Sequence, residues 1–260
     1  MAHGVHPAAA VGFTAAVDVY EASRPTVPPQ AVDWLLGELR VAAGDVVLEL
    51  GAGTGKFTRL LAERGLGVVA VEPVAAMRER LAALGPGVTP LDAVAEELPL
   101  APGAARAAVA VQAFHWVDAP RALEELHRVL EPGGRIGLAW NERDADAAPW
   151  QQDLDALLEP RRGDTPTHRD GAWRAAVEAS PRYALLESRA WRWVQPMTVG
   201  LLVDRVASIS FVASLPERER AGLLDEVREL AAREAGSADA GAPLDLPYVA
   251  ELHVIAPVAA

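Results

Sequence analysis

The segment Glu49–Gly55 combines the residue types and spacing best suited to chemistry in this chain, since an acid stands two positions before three alternate glycines, E-x-G-x-G-x-G. A largely apolar run at 46–50 leads into it, and 56–66 continues with apolar residues at helical spacing. This order predicts a buried strand, a tight turn and a helix start. Glycines let a ligand approach the backbone closely, and a helix start offers free N–H groups to it.

The glycine spacing separates this segment from two phosphate-binding motifs. Dinucleotide folds use G-x-G-x-x-G, and no glycine stands at the required third place here. A Walker loop ends in Gly-Lys-Ser/Thr, whereas Gly55 and Lys56 are followed by Phe57. Glu49 would repel a pyrophosphate but suits a ligand that carries an ammonium group. We therefore expect such a ligand at the turn; the alternative is an ordinary strand-to-helix turn.

A second acid follows the next apolar run. Glu72 ends the run 67–71 and stands 21 positions after Gly51, where a doubly wound fold has the acid that binds a ribose. A carboxylate can accept charge-assisted hydrogen bonds from both ribose hydroxyls. Paired with the glycine turn, Glu72 is interpreted as a ribose ligand; alone, it would be read as a solvated acid at a strand end.

The elements that must position these residues alternate between strands and helices. This alternation predicts an α/β fold, with a doubly wound, mostly parallel seven-stranded sheet and helices on both faces. The predicted strands are 45–51, 67–72, 87–92, 107–113, 135–140, 183–194 and 247–257, and the predicted helices are 55–65, 73–84, 118–130, 149–158, 170–180, 199–213 and 216–235.

Length bounds the domain organisation. A chain of 260 residues can form a single domain of this class. We expect 1–12 to be a flexible tail and 13–260 to be one domain, in which 144–180 and 199–235 cover the substrate.

Composition excludes several classes of function. The net charge of −12 argues against a nucleic-acid footprint, and the absence of cysteine excludes disulfides, thiolate metal sites and a cysteine nucleophile. No apolar run approaches 18 residues and the start lacks the pattern of a signal peptide, so we expect no membrane span and a cytoplasmic protein. The expected partner is a small-molecule substrate, and the expected state is a monomer or homodimer. The six histidines form no H-x-x-x-H pair, and no metal is expected.

Glu49–Gly55 resembles the first motif of the class I S-adenosylmethionine (SAM) methyltransferases. Ala95–Leu100 is similar to an A-E-x-L-P segment of that family. Further segments are similar to a bacterial and fungal subgroup that acts on small molecules, and the resemblance covers roughly 13–255. These further segments are Tyr20–Pro25 (Y-x-x-x-R-P), Gln112–Trp116 (Q-A-F-H-W), Trp140–Asp144 and Leu246–Tyr248.

The resemblance implies a Rossmann-like methyltransferase fold with SAM as the cofactor. It also suggests that Met77 packs on the adenine, although a core methionine is the alternative. Many members bind the adenine amine with an acid at the place of Val94, and the nearest upstream acid here is Asp92. The cofactor-binding residues implied by the residues and the resemblance together are Tyr20, Arg24, Glu49, Gly51, Ala52, Gly53, Gly55, Glu72, Pro73, Met77, Ala95, Glu96, Gln112, Ala113 and Phe114.

His115 is the candidate catalytic base, because it follows the fourth strand and its ordinary pKa suits proton transfer near neutrality. A base is needed only if the nucleophile must lose a proton. The alternative is a histidine that orders the loop or contacts the adenosyl group. Candidate substrate residues follow strands four and five, with a solvated loop as the alternative for the charged ones: Trp116, Trp140, Glu142 and Arg143.

The sequence as a whole thus predicts a SAM-dependent methyltransferase that moves a methyl group to an oxygen, nitrogen or carbon atom of a small organic molecule in secondary metabolism. Two alternatives remain open, because a fold does not fix a function. The protein could bind SAM and catalyse a cyclisation, elimination or ring closure, or it could sense SAM as a regulator.

Overall fold

A seven-stranded sheet organises the chain in this computed structural model, which describes residues 23–258. The first five strands along the chain pair in parallel and the last two are antiparallel, which confirms the predicted mostly parallel α/β fold. The strands are β1 (Val46–Leu50), β2 (Gly67–Val71), β3 (Val88–Leu91), β4 (Ala105–Val111), β5 (Leu130–Arg143), β6 (Tyr183–Thr198) and β7 (Pro243–Pro257), in the order β3-β2-β1-β4-β5-β7-β6.

Helices connect these strands and cover both faces of the sheet. In the described part of the chain they are α1 (Pro29–Leu39), α2 (Lys56–Ala62), α3 (Ala75–Ala82), α4 (Ala119–Val129), α5 (Trp150–Leu158), α6 (Ala172–Ala179), α7 (Val199–Ala207), α8 (Ser210–Ala213) and α9 (Glu217–Ala235). A short 3₁₀ helix, Phe114–Trp116, follows β4.

The two faces of the sheet carry separate apolar cores. On one face α4 and α6 pack against β-strand residues such as Leu138 and Trp140. On the other face α1 and α2 pack against residues such as Val47 and Ala139. The parallel strands are apolar on both sides because helices cover both. The sheet is therefore a rigid support whose strand ends can hold a site.

A third apolar cluster lies outside these two layers and forms a helical cover. It joins α5, α7 and α9 to the extended ends of β6 and β7, with Trp150, Leu223 and Tyr248 among its buried residues. The segment 199–235 and the first part of 144–180 contribute to this cluster; their predicted role as a substrate cover stays a prediction. Helix α6, in the second part of 144–180, instead packs on the sheet beside α4.

Several element bounds differ from the sequence predictions. The predicted helix 199–213 is two helices, because Ile209 is extended and Ser208 turns back to donate its hydroxyl to the Arg205 carbonyl at 2.8 Å. Strands β6 and β7 pair over longer stretches than predicted. Strand β5 starts at Leu130 instead of residue 135, and its register against β4 shifts between Ala105 and Ala107, which accommodates residues 131–134. Helix α1 was missed entirely.

None of the helices in the described residues is long and apolar enough to cross a membrane.

Candidate functional site

A cavity opens at the carboxyl ends of β1, β2 and β4, the edge of a parallel sheet where ligands bind in doubly wound folds. The glycine turn, the end of β2 and the segment after β4 meet there, and α7 of the cover closes one side. The sequence-predicted residues on its wall are Arg24, Glu49, Gly51, Ala52, Gly53, Glu72, Pro73, Met77, Ala95, Glu96, Gln112, Ala113, Phe114 and Trp116.

The glycine turn depends on backbone conformations that other residues rarely adopt. Gly51 and Gly53 have φ of +64° and +59°. A Cβ on Gly51 would lie 2.6 Å from the Cβ of Ala113, so two walls of the cavity touch at this glycine. Gly55 has a different role: it lies off the cavity wall, and a Cβ there would lie 2.5 Å from Leu84. Gly55 thus lets α2 start against the end of α3.

Glu72 is fixed against the glycine turn by two backbone donors. Gly53 N–H donates to Oε2 and Val74 N–H donates to Oε1, each at 2.9 Å. Burial raises the pKa of Glu72, while the two N–H groups and the nearby Arg78 oppose the shift. Each carboxylate oxygen keeps a second lone pair for a ligand hydroxyl.

Glu49 lies deeper on the same wall and is held by one side chain. The Thr58 hydroxyl donates to its Oε2 at 2.6 Å. Burial raises the pKa of Glu49 to about 8 and the neighbouring Glu72 adds to the rise, against the Thr58 hydrogen bond. The group therefore retains a proton at neutral pH, and a cation beside it would release that proton. Thr54 also lines the cavity, and its buried hydroxyl makes no hydrogen bond within residues 23–258.

Arg24 connects the glycine turn to the cover. Its Nη2 donates to the Ser208 carbonyl at 2.7 Å, at the break between α7 and α8. The Lys56 ammonium donates to the Arg24 carbonyl at 2.5 Å. Arg205 of α7 lies on the same cavity wall. Tyr20, predicted as a cofactor residue with Arg24, lies outside the described residues, as does the predicted tail 1–12.

The opposite end of the cavity is mostly apolar. Met77 is buried there beside Val94 and Ala95. Asp92 lies off the wall and forms an ion pair with Arg78 at 2.8 Å. The acid that many family members direct at the adenine amine therefore has no counterpart in Asp92.

The chain leaves β4 through an unusual backbone conformation. Gln112 has φ of +56°, which is uncommon for a residue with a side chain. Its N–H donates to the Ala139 carbonyl at 2.8 Å, and its side-chain amide donates to the Asn141 carbonyl at 3.2 Å. These bonds to β5 hold the turn that directs Ala113 and Phe114 into the cavity wall.

His115 lies between two wall residues, Phe114 and Trp116, but is itself off the wall. The Trp140 indole N–H donates to its Nδ1 at 3.2 Å. Burial lowers the pKa of His115 to about 3, and the nearby His168, Arg162 and Arg24 lower it further. The ring is therefore neutral at physiological pH, and its role as a base stays a prediction.

The other substrate candidates contact residues of the segment 155–169. Trp140 is 1% exposed and stacks on His168 with ring centroids 5.2 Å apart. Glu142 pairs with Arg169 and with His168, and Arg143 pairs with Asp155 of α5. These three candidates lie off the cavity wall, whereas Trp116 lines it.

Some wall residues were missed in the sequence. Thr54 and Lys56 stand within or next to the glycine motif, so the motif itself could have suggested them. Arg205 could be found only from the tertiary structure. The apolar spacing around it predicts a helix but does not show that its side chain faces the cavity. No group of three potential metal ligands exists among His, Asp and Glu residues of the described chain.

Comparisons with known proteins agree with this geometry. Residues 48–138 match the methyltransferase domain family. An uncharacterized methyltransferase of Mycobacterium tuberculosis is 41% identical over 239 residues, covering 92% of this chain and 93% of the relative. An uncharacterized methyltransferase-like protein of Schizosaccharomyces pombe is 34% identical over 84% of this chain and 85% of the relative. The solved structure of a candidate type II methyltransferase from Anaeromyxobacter dehalogenans is 25% identical, covers 89% of this chain and 97% of that chain, and has a TM-score of 0.70.

Proposed function

Because the chain belongs to the class I SAM-dependent methyltransferases, we propose that it transfers the methyl group of SAM to an oxygen, nitrogen or carbon atom of a small organic molecule in biosynthesis. The observation that carries this proposal is one cavity whose wall combines the glycine turn, two buried acids and a cation from the helical cover. We propose that the protein acts in the cytoplasm as a monomer or homodimer.

The residues present fit SAM. The positive φ of Gly51 and its contact with Ala113 leave no room for a Cβ, so the backbone itself forms the cradle. Glu72 keeps free lone pairs for the ribose hydroxyls, since each oxygen uses one for a backbone N–H. The buried Thr54 hydroxyl lacks a protein partner in 23–258 and lines the cavity. A ligand with hydroxyls and an ammonium group would satisfy these groups.

The methyl donor supplies a sulfonium when bound: a lone pair of the acceptor forms the new bond to the methyl carbon, and the old bond's electron pair stays on sulfur. The chain's own contribution is alignment, which can supply several kcal/mol of a barrier, on the order of 7–11 kcal/mol in favourable cases. Glu72 and the glycine turn fix the cofactor end, and Phe114 and Trp116 provide apolar surface where the acceptor approaches.

The helical cover gives the second half of the binding site. Arg24 bonds to the cover at Ser208, and Arg205 reaches the cavity wall from α7. Because α7 packs on α9 in a separate apolar cluster, the cover can exclude water from the reacting atoms without altering the sheet. We assign the choice of acceptor to this cover and to the segment after β4.

The experiment that tests the proposal uses methyl-labelled SAM. The protein is incubated with the labelled cofactor and a small-molecule extract of the producing organism, and products are resolved by mass spectrometry. The expected result is one or a few labelled products, formed at least tenfold more slowly by the Glu72→Gln variant than by the wild type at a SAM concentration below the wild-type Kd. The chemical position of the label then identifies the acceptor atom.

A result without transferred label would contradict the proposal if SAM still binds with the expected affinity in calorimetry. That combination would favour a protein that uses SAM without methyl transfer or senses it.

A further inference from the structure

The hydrogen bond between Trp140 and His115 fixes where His115 carries its proton. An indole N–H can only donate. Nδ1 of His115, 3.2 Å from the Trp140 Nε1, must therefore offer a lone pair. A neutral imidazole with an unprotonated Nδ1 has its hydrogen on Nε2. The structure thus selects one tautomer of this ring.

Trp140 is held firmly enough to enforce this choice. Its side chain is 1% exposed on the α4 side of the sheet. The indole packs between His168 and Trp173, with ring centroids at 5.2 Å from each, and His253 lies 5.8 Å away. Rotation of the indole away from His115 would require these rings to repack.

The Nε2–H of His115 is a donor without a protein acceptor. Within residues 23–258 the only hydrogen bond of this side chain is the one from Trp140. The ring lies off the cavity wall between Phe114 and Trp116, which both line the cavity, and the residue keeps part of its surface exposed. A donor in that place is available to a ligand that enters beside the cofactor.

The charged and titratable groups that face His115 are His168, Arg162 and Arg24. Arg162 and Arg24 are permanent cations, of which Arg162 pairs with Glu159 at 2.6 Å, and Glu142 pairs with His168 and Arg169. A neutral N–H donor among such groups suits a ligand atom with negative charge.

We propose that His115 binds the methyl acceptor as a neutral Nε2–H donor and that Trp140 is the positioning residue that fixes this tautomer. The acceptor is then an anionic oxygen compound such as a carboxylate, phenolate or enolate. This inference rests on the proposed function. The nucleophile then arrives without its proton: its lone pair forms the bond to the methyl carbon, the sulfonium and anion charges cancel, and no proton passes to His115.

The tautomer is tested by ¹⁵N-detected NMR of the histidine rings, which needs no acceptor. The resonances of His115 are assigned by their loss in His115→Gln. The wild type should have a protonated, pyrrole-type Nε2 and an unprotonated, pyridine-type Nδ1, unchanged between pH 5 and 8. Trp140→Phe keeps a ring but removes the N–H, and should give a mixture of tautomers.

Trp173→Phe is the matched control. It also removes an indole N–H beside Trp140, but that group does not bond to His115. It should leave the tautomer of His115 unchanged. A protonated Nδ1 in the wild type, or the same spectrum in Trp140→Phe and the wild type, would overturn the proposal.

The donor role is tested with the acceptor found by methyl labelling. His115→Gln keeps an N–H donor near the place of Nε2 but cannot act as a base, whereas His115→Phe has neither property. We expect His115→Gln to keep kcat/KM for the acceptor within about tenfold of wild type, since one hydrogen bond is perturbed. His115→Phe should lose about a further tenfold, with unchanged affinity for S-adenosylhomocysteine.

Two outcomes would contradict the donor role: equal loss in both variants, or a wild-type kcat that falls on the acid side of a pKa near 6 to 7. An acceptor methylated on a neutral amine would refute the substrate class. Absence of any label transfer with the predicted tautomer intact would instead count against the proposed function alone, so the two failures are distinguishable.

Discussion

The contact at Gly51 makes a quantitative prediction about the coupling between the glycine turn and the segment after β4. In Gly51→Ala the new Cβ would lie 2.6 Å from the Ala113 Cβ, at a backbone φ of +64°. The strained φ costs roughly 1–2 kcal/mol in a non-glycine residue, and overpacking in a close contact costs roughly 1–3 kcal/mol more. We therefore expect the free energy of unfolding to fall by about 2–5 kcal/mol.

Gly103→Ala separates the two costs. Gly103 has φ of +69°, nearly the same as Gly51, but a Cβ there meets nothing within 4 Å. This variant should lose only the strain term, about 1–2 kcal/mol. Urea unfolding of both variants measures the difference, and calorimetry with S-adenosylhomocysteine measures binding.

Ligand affinity gives the second readout of the pair. Relief of the Gly51 contact must move either the turn or Ala113, and both line the cavity. Affinity should fall at least tenfold in Gly51→Ala and stay unchanged in Gly103→Ala. If both variants lose equal stability and bind equally well, the close packing of the two walls does not shape the site.

The remaining predictions concern the acids and histidines. Glu72→Gln places an NH₂ group where one backbone N–H now finds a carboxylate oxygen, so SAM affinity measured by calorimetry should fall at least tenfold while the circular dichroism spectrum stays unchanged. The control Asp92→Asn, which lies off the cavity wall, should bind SAM as the wild type does. Because burial raises the pKa of Glu49 to about 8, binding of a ligand ammonium near pH 7 should release a proton, and SAM affinity should rise towards pH 8. Calorimetry in buffers of different ionisation enthalpy measures the proton release. Release that persists in Glu49→Gln would refute the assignment to Glu49. Burial lowers the pKa of His253 to about 4 and that of His115 to about 3, from 6.5, so protonation of either ring favours the unfolded chain. The free energy of unfolding should be full above pH 6.5 and should fall as the pH decreases towards 4. The urea midpoint measures this dependence, which should be flatter in His253→Gln. NAD and ATP should bind far more weakly than SAM, and comparable binding of NAD would contradict a site for a cationic ligand.

The first half of the fold follows from local pattern. The apolar runs before Glu49 and before Glu72 predict β1 and β2, and their parallel pairing brings both acids to one edge. The glycine spacing predicts the turn, because positive φ and close approach leave few alternatives to glycine. These features depend on short segments, so the sequence alone is sufficient to find them.

Other features depend on contacts between distant segments. Helix α1 is an exception, because Pro29 stands at a favoured first helical position and the buried residues Val32, Leu35 and Leu39 recur at helical spacing. This local pattern is sufficient to predict α1, which was nevertheless missed. Arg205 reaches the cavity from the last turn of α7, and Trp140 meets His115 through the pairing of β4 with β5. No local pattern contains this information.

The distribution of charge around the cavity explains which ligands the site can select. The acids Glu49 and Glu72 come from strand ends, where the sheet fixes them. The cations come from elements outside the sheet: Arg24 before α1, Lys56 at the start of α2 and Arg205 in the cover. A ligand with positive charge near the sheet and negative charge near its outer elements matches this separation, as the sulfonium, ammonium and carboxylate of SAM do. A pyrophosphate held by the glycine turn would lie against both acids. Because burial raises the pKa of Glu49 to about 8, a ligand ammonium at this turn gains an ionised partner as the proton leaves, whereas a pyrophosphate gains none.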